Sequence, residues 1–172
     1  VHDPTTPLDL FDDNIWDPIN TACHYARHGL LVISCIRKAP WRVGWYDLGS
    51  TRVSDVVQDF EDAIHRAGTT ELVWVGWTLG VQGYMALDID RPDLVDPELQ
   101  AVLDAGGYAV NPTSRPGRYH AIYRMPDGMT VGNSTSRFPT RDWGELRGYH
   151  GQIVIAGPDR PGFDITQLGP LP

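Results

Sequence analysis

The chain has 172 residues, 41% hydrophobic and 21% charged, which suits one globular domain that buries its own core without disulfide staples. Its formal net charge of −8 argues against a protein that grips nucleic acid over a long footprint. It leaves room for an enzyme that touches a few phosphates through a local basic patch, with weak and salt-sensitive affinity for any template.

No apolar run approaches the roughly 18 residues of a membrane-spanning helix, and the N-terminal residues lack the charged-then-apolar order of a signal peptide. Cys23 and Cys35 show no pairing or Cys-x-x-Cys spacing and are expected as buried free thiols in a reducing cytoplasm.

Residues 1–14 are polar, acidic and proline-bearing, with Asp9, Asp12 and Asp13 close together, and predict a surface arm. A helix follows, with Asp17 as its cap, Pro18 at its first position and Gly29 at its exit; Ile19, Ala22, Cys23 and Ala26 share one face. Leu30 to Cys35 is a continuously apolar run of buried-strand type. Ile36 to Ser50, rich in Lys, Pro, Gly and Trp, predicts a loop.

A second amphipathic helix runs from Ser54 to Ala67 and stops at Gly68. Leu72–Thr78 and Tyr84–Asp90 predict two strands, and the glycines between them suggest a hairpin. Asp96 and Pro97 open a short third helix that ends near Gly106-Gly107. Tyr108–Asn111, Tyr119–Met125 and Gln152–Ala156 complete the strands. Residues after Gly157 are expected as a tail or linker. Interleaved helices and strands with hairpin-like links predict a mixed sheet with helices packed on it.

Three segments carry chemistry. In Tyr84-Met85-Ala86-Leu87-Asp88-Ile89-Asp90, alternation puts Asp88 and Asp90 on one face and Leu87 and Ile89 on the other, toward the core. Side-by-side carboxylates repel unless a cation lies between them, and a hard divalent ion prefers oxygen ligands. A strand that simply ends in solvent is the alternative. An EF-hand does not fit, because Asp93 and Leu99 occupy the positions where that loop needs Gly and Glu.

In the second segment, Ser114-Arg115-Pro116-Gly117-Arg118-Tyr119-His120, a histidine entering a strand follows two arginines that can make charge-assisted bonds to phosphate. In the third, Glu145-Leu146-Arg147 sets an acid and a base on one face if extended. A structural histidine and a surface salt bridge are the ordinary alternatives. Lys38 adds a cation after the first strand, Thr78 a hydroxyl before the acidic one, and Trp41 and Trp45 could stack a base.

In order and spacing these segments resemble the primase–polymerase (prim-pol) branch of the archaeo-eukaryotic primase superfamily, over about residues 18–160. Lys38-Ala39-Pro40 matches its Lys-x-Pro loop, Gly76 to Gly80 its glycine-containing strand end, and Asp88-Ile89-Asp90 its Asp-x-Asp/Glu strand. Thr113 to His120 looks like its Thr-Pro-x-Gly-Gly-x-His motif, and Glu145-Leu146-Arg147-Gly148-Tyr149-His150-Gly151 like its Asp-x-Arg-Gly-x-Gly-Gly motif. The style is most similar to N-terminal modules of actinobacterial phage or plasmid replication proteins. Glutamate stands for aspartate at 145, Gln152 interrupts a glycine pair, and Pro116 and Tyr119 alter the histidine motif.

The resemblance implies an α+β fold, with an RRM-like mixed or antiparallel catalytic sheet, flanking helices and a smaller N-terminal α/β unit. Residues 1–160 would be the catalytic domain, and 161–172 a tail or linker toward a downstream helicase domain. It implies a DNA primase/polymerase working in a bacterial host's cytoplasm on single-stranded DNA template, primer strand and nucleoside triphosphates. Asp88, Asp90 and Glu145 would hold Mg²⁺ or Mn²⁺. His120 and Arg147 would hold the triphosphate, with Lys38, Thr78, Arg115 and Arg118 assisting. A metal-dependent nuclease and a non-catalytic RRM-like nucleic-acid-binding module are the rival expectations.

Overall fold

The computed structural model describes residues 16–133, 142–160 and 162–168, so the predicted arm at 1–14 lies outside the described residues. Its elements are α1 (Pro18–Arg27), β1 (Val32–Ile36), β2 (Ala39–Pro40), α2 (Val53–Ala67), β3 (Val73–Trp77), β4 (Tyr84–Ile89), α3 (Pro97–Asp104), β5 (Ala109–Pro112), β6 (Tyr119–Arg124), β7 (Gly144–Arg147) and β8 (Ile153–Ala156). The class is α+β. No helix among the described residues is long and apolar enough to cross a membrane.

Helix boundaries follow from capping. The Asp17 carboxylate accepts from the backbone N–H groups of Ile19 and Asn20, which the first helical turn leaves unpaired. Gly68, at φ 78°, ends α2 in the left-handed region. The Asp96 carboxylate caps α3 by accepting from Leu99 N–H.

The predicted mixed sheet divides into two four-stranded sheets, ordered β2-β1-β3-β8 and β5-β6-β4-β7, and every pairing within them is antiparallel. The first has as many strands as the second, and it takes its edge strand β8 from the C-terminal part of the chain. In the second, β4 and β5 are joined through α3 and run parallel to each other with β6 between them, a split β-α-β unit.

The expected β3–β4 hairpin does not form, because the two strands belong to different sheets. Their connection is a 3₁₀ turn at Leu79–Gln82, buried at Leu79 and Gly80. Gln82 pins it: Oε1 accepts from Leu31 N–H and Trp77 Nε1–H, and Nε2 donates to the Gly29 carbonyl. Gly80 lies so close to the Gly148 backbone that any Cβ would collide with it. The glycines read as a hairpin turn thus serve a backbone crossing.

The main core gathers Tyr25 and Leu30, Phe60 from α2, Val73, Val75 and Trp77 from β3, Ile153 and Ile155 from β8, and Tyr84, Ala86 and Ile122 from the second sheet. Each fully buried side chain of this size contributes about 1.5–3 kcal/mol. A smaller core of Leu87, Ile89, Leu103, Ala121 and Trp143 lies on the other face of β4. Both cysteines are buried free thiols, and burial raises their pKa values.

Two expectations change at the ends of the chain path. Part of the predicted tail is packed: Phe163 is buried against Trp77, its N–H donates to the Ile155 carbonyl, and its carbonyl accepts from the Tyr25 hydroxyl. The predicted loop after β1 begins with a two-residue connection, Arg37-Lys38, that returns the chain as β2.

Candidate active site

Along β4 the face shared with the main core changes character in one step of two residues, from Ala86 to Asp88. Asp88 pairs in register with His120 on β6 and with Glu145 on β7, and His120 pairs with Asn111 on β5. Four polar side chains therefore form one row across four neighbouring strands: Asn111, His120, Asp88, Glu145. The row meets a cleft of about 260 Å³ lined by Asp88, Asp90, Lys38, Arg115, Arg118 and His120, together with Arg147, Arg160 and residues 113–114 and 152–154. Five lining cations against two lining carboxylates give this acidic chain a locally positive hollow.

Most of these charges are paired. His120 Nε2 is 3.4 Å from Asp88 Oδ1, and Arg147 reaches Asp88 Oδ2 at 3.8 Å while also contacting Glu145. Arg118 holds Asp90 at 2.7 Å. Lys38 Nζ lies 2.5 Å from Asp159 and donates to Ser114 Oγ at 2.9 Å, bridging loops of the two sheets. Burial alone would raise the Asp88 pKa, but the hydrogen bond from His120 and the charges of Arg147 and Arg160 outweigh it and hold the carboxyl below its ordinary value. Asp88 is thereby kept ionised, as a ligand for a cation must be.

Of the sequence-predicted residues, the fold brings Lys38, Asp88, Asp90, Arg115, Arg118, His120 and Arg147 to the cleft. Glu145 stands beside it, opposite Asp88 and joined through Arg147. Thr78 does not line the cleft: it is buried, and its hydroxyl donates to the Leu31 carbonyl on the side facing Gly49. Trp41 is engaged as well, its indole N–H on Ser34 Oγ and its ring beneath Arg42 at 4.7 Å.

Sequence reasoning missed Asn111, Asp159 and Arg160. Asn111 is fully buried and touches His120; an asparagine ending an apolar strand was the available signal. Arg160 donates to the Val154 carbonyl and has no carboxylate within ion-pair distance among the described residues. Burial lowers its pKa against the opposing pull of Asp159 and Asp88. Nothing local in the sequence marked it.

Mg²⁺ and Mn²⁺ are hard ions that take oxygen donors. Asp88, Asp90 and Glu145 supply such donors at adjoining positions, so the ligand chemistry fits a divalent ion. No group of three or more metal-type side chains converges on one point among the described residues, and arginines and His120 pair with the carboxylates.

No curated protein and no solved structure matches the chain. A family model described as the N-terminal domain of bifunctional DNA primase/polymerase (Prim-Pol) matches residues 22–166. That family implies a nucleotidyltransferase of DNA primase/polymerase type, with DNA and nucleotides as substrates. The match spans most of the chain and includes every residue of the cleft, and the protein belongs to the Prim-Pol family.

Proposed function

We propose that this domain catalyses template-dependent nucleotidyl transfer in phage or plasmid DNA replication, by a two-metal mechanism, at the Asp88–His120–Glu145 row. The observation that carries the reading is that row itself: three side chains from three adjacent strands in one register, opening on a cleft rich in cations. The strand order of the second sheet, with its split β-α-β unit, supports the RRM-like description of the catalytic sheet.

Asp88, Asp90 and Glu145 hold the divalent ions, Mg²⁺ or Mn²⁺, which supply Lewis-acid polarisation of phosphoryl oxygens. His120 and Arg147 bind the incoming triphosphate, with Arg118, Arg115 and Lys38 along the cleft. A primer 3′-hydroxyl attacks the α-phosphorus, the new ester bond forms, pyrophosphate leaves and the hydroxyl proton passes to solvent. The catalytic domain is assigned to residues 1–160, with Phe163 of the following segment packed into its core, and a helicase domain is proposed as its partner in the full-length protein.

The test is incubation with single-stranded DNA, labelled nucleotides and Mg²⁺ or Mn²⁺, with and without primer. Extended product that vanishes in the Asp88→Ala and Asp90→Ala variants, at unchanged circular dichroism, is the expected result. Undiminished incorporation by those variants refutes the assignment. DNA cleavage without added nucleotides would point to a nuclease, and template binding without incorporation to a non-catalytic module.

A further inference from the structure

The row across the second sheet contains a residue with no place in the proposed chemistry. Asn111 is completely buried, one strand away from the cleft-lining His120. Its Nδ2 is 2.9 Å from the carbonyl oxygen of Val154, on the edge strand of the other sheet, and 2.7 Å from His120 Nδ1. A backbone carbonyl can only accept, so the Asn111 atom facing it must be the amide nitrogen, and the orientation of the side chain is thereby fixed. With one N–H committed to Val154, the other points at the imidazole. His120 Nδ1 must then accept, which leaves the ring proton on Nε2.

That nitrogen is the one turned to the chemistry, 3.4 Å from Asp88 Oδ1. The same orientation leaves Asn111 Oδ1 buried without a partner among the described residues. An unpaired buried acceptor is unfavourable, and here it accompanies an amide whose donor side is fully used. A leucine would fill the same space without stranding an oxygen, so packing does not account for the asparagine.

We infer that Asn111 is a positioning residue: anchored on Val154, it holds His120 in the tautomer whose Nε2–H faces Asp88 and the phosphate-binding cleft. The inference rests on the nucleotidyl-transfer reading for its catalytic consequence, and on geometry alone for the tautomer. It also ties the two sheets to the chemistry, because the anchor lies on one and the histidine on the other.

The experiment reads the tautomer of His120 from long-range ¹H–¹⁵N correlations of ¹⁵N-histidine-labelled, metal-free protein, with His120→Gln assigning the signal. The wild type is expected to show Nε2 protonated and Nδ1 bare; a proton on Nδ1 overturns the proposal, and this arm needs no variant that packs the core differently. Asn111→Asp presents an acceptor to Nδ1 and is expected to move the proton there, while Asn111→Leu should leave mixed tautomers. In primer extension both should lower kcat by about 10- to 100-fold, the usual effect of removing a partner that orients a site histidine, with a smaller change in KM for the nucleotide. A variant that folds and keeps both the wild-type tautomer and the wild-type kcat also overturns it. A wild-type chain that incorporates no nucleotide sinks the polymerase reading, and the tautomer result then still decides whether Asn111 governs His120.

Discussion

Asp88 on β4 and Glu145 on β7 are direct cross-strand partners, and the Arg147 guanidinium serves both of their carboxylates. Like charges facing each other across a strand pair are destabilising, so an intramolecular cation stands where the proposed function requires a divalent one. Under the proposed function a metal would compete with Arg147 for the same oxygens, and its binding would release Arg147 toward phosphate.

Replacing Arg147 with glutamine should tighten Mn²⁺ binding to the nucleotide-free protein severalfold, because the carboxylates lose their internal partner. The same change should raise KM for the nucleotide by about tenfold, as expected when one charge-assisted phosphate contact is removed. Electron paramagnetic resonance titration of free Mn²⁺ and primer-extension kinetics measure the two effects. Weaker Mn²⁺ binding in the variant would mean that Arg147 does not occupy the metal's place.

The Thr78 correction yields a second prediction. Its hydroxyl and its N–H both donate to the half-buried Leu31 carbonyl, each at 3.1 Å. Thr78→Val keeps the shape and the backbone bond, so unfolding free energy should fall by about 1 kcal/mol. Nucleotide incorporation per folded molecule should stay at the wild-type rate. Denaturant titration and kinetics at matched folded concentration separate the two; a rise in KM with unchanged stability would return Thr78 to the site.

These outcomes trace what a sequence can and cannot disclose. The common face of Asp88 and Asp90 was legible because strand alternation has a period of two residues. Helix ends at Asp17, Gly68 and Asp96 were legible because capping is local chemistry. The Asp88–Glu145 register was not, since it depends on which strands pair across a long stretch of chain. Thr78 was misjudged for a related reason: it follows a strand of one sheet, whereas the acids end a strand of the other, and glycine spacing does not say when a chain changes sheets. Arg160 reaches the cleft, and Asp159 reaches Lys38, only through the packing of the segment after β8, which has no periodicity to reveal it.

Acid should loosen the ion pair that joins the β1–β2 turn to the segment after β8. Burial would raise the Asp159 pKa, but hydrogen bonds from Lys38 and Trp74 outweigh it and bring the carboxyl below its ordinary value. A depressed folded-state pKa contributes stability that is present above the unfolded value, about 3.9, and is lost as pH falls through the folded value. Both partners of the ion pair are more than two-fifths exposed, 41% for Lys38 and 44% for Asp159, so solvent screening limits the contribution to about 0.2–1 kcal/mol. Asp159→Asn should therefore show a shallower decline in Tm than the wild type between pH 5 and pH 3. Parallel declines would show that the bridge adds nothing in solution.

Lys38 itself sits at an unfavourable backbone position. The connection between β1 and β2 is two residues long, and both Arg37 (φ 52°) and Lys38 (φ 70°) occupy the left-handed region. Two-residue hairpins of type I′ demand this at both central positions, which is why Asn-Gly is preferred there. For side-chain-bearing residues it costs roughly 1–2 kcal/mol each. Arg37 is exposed, and its N–H bond to the Leu72 carbonyl would survive in glycine. Arg37→Gly should accordingly raise unfolding free energy by about 1 kcal/mol and leave nucleotide incorporation intact. Lys38→Gly relieves the same strain but removes the ammonium from Asp159, Ser114 and the cleft, so its gain should be smaller and its KM for the nucleotide higher. Denaturant midpoints and kinetics of the two single variants decide the matter. Equal stabilisation with equal activity would leave the strained lysine without a functional reason, whereas the predicted split would show that the turn tolerates strain to hold a cation over the cleft.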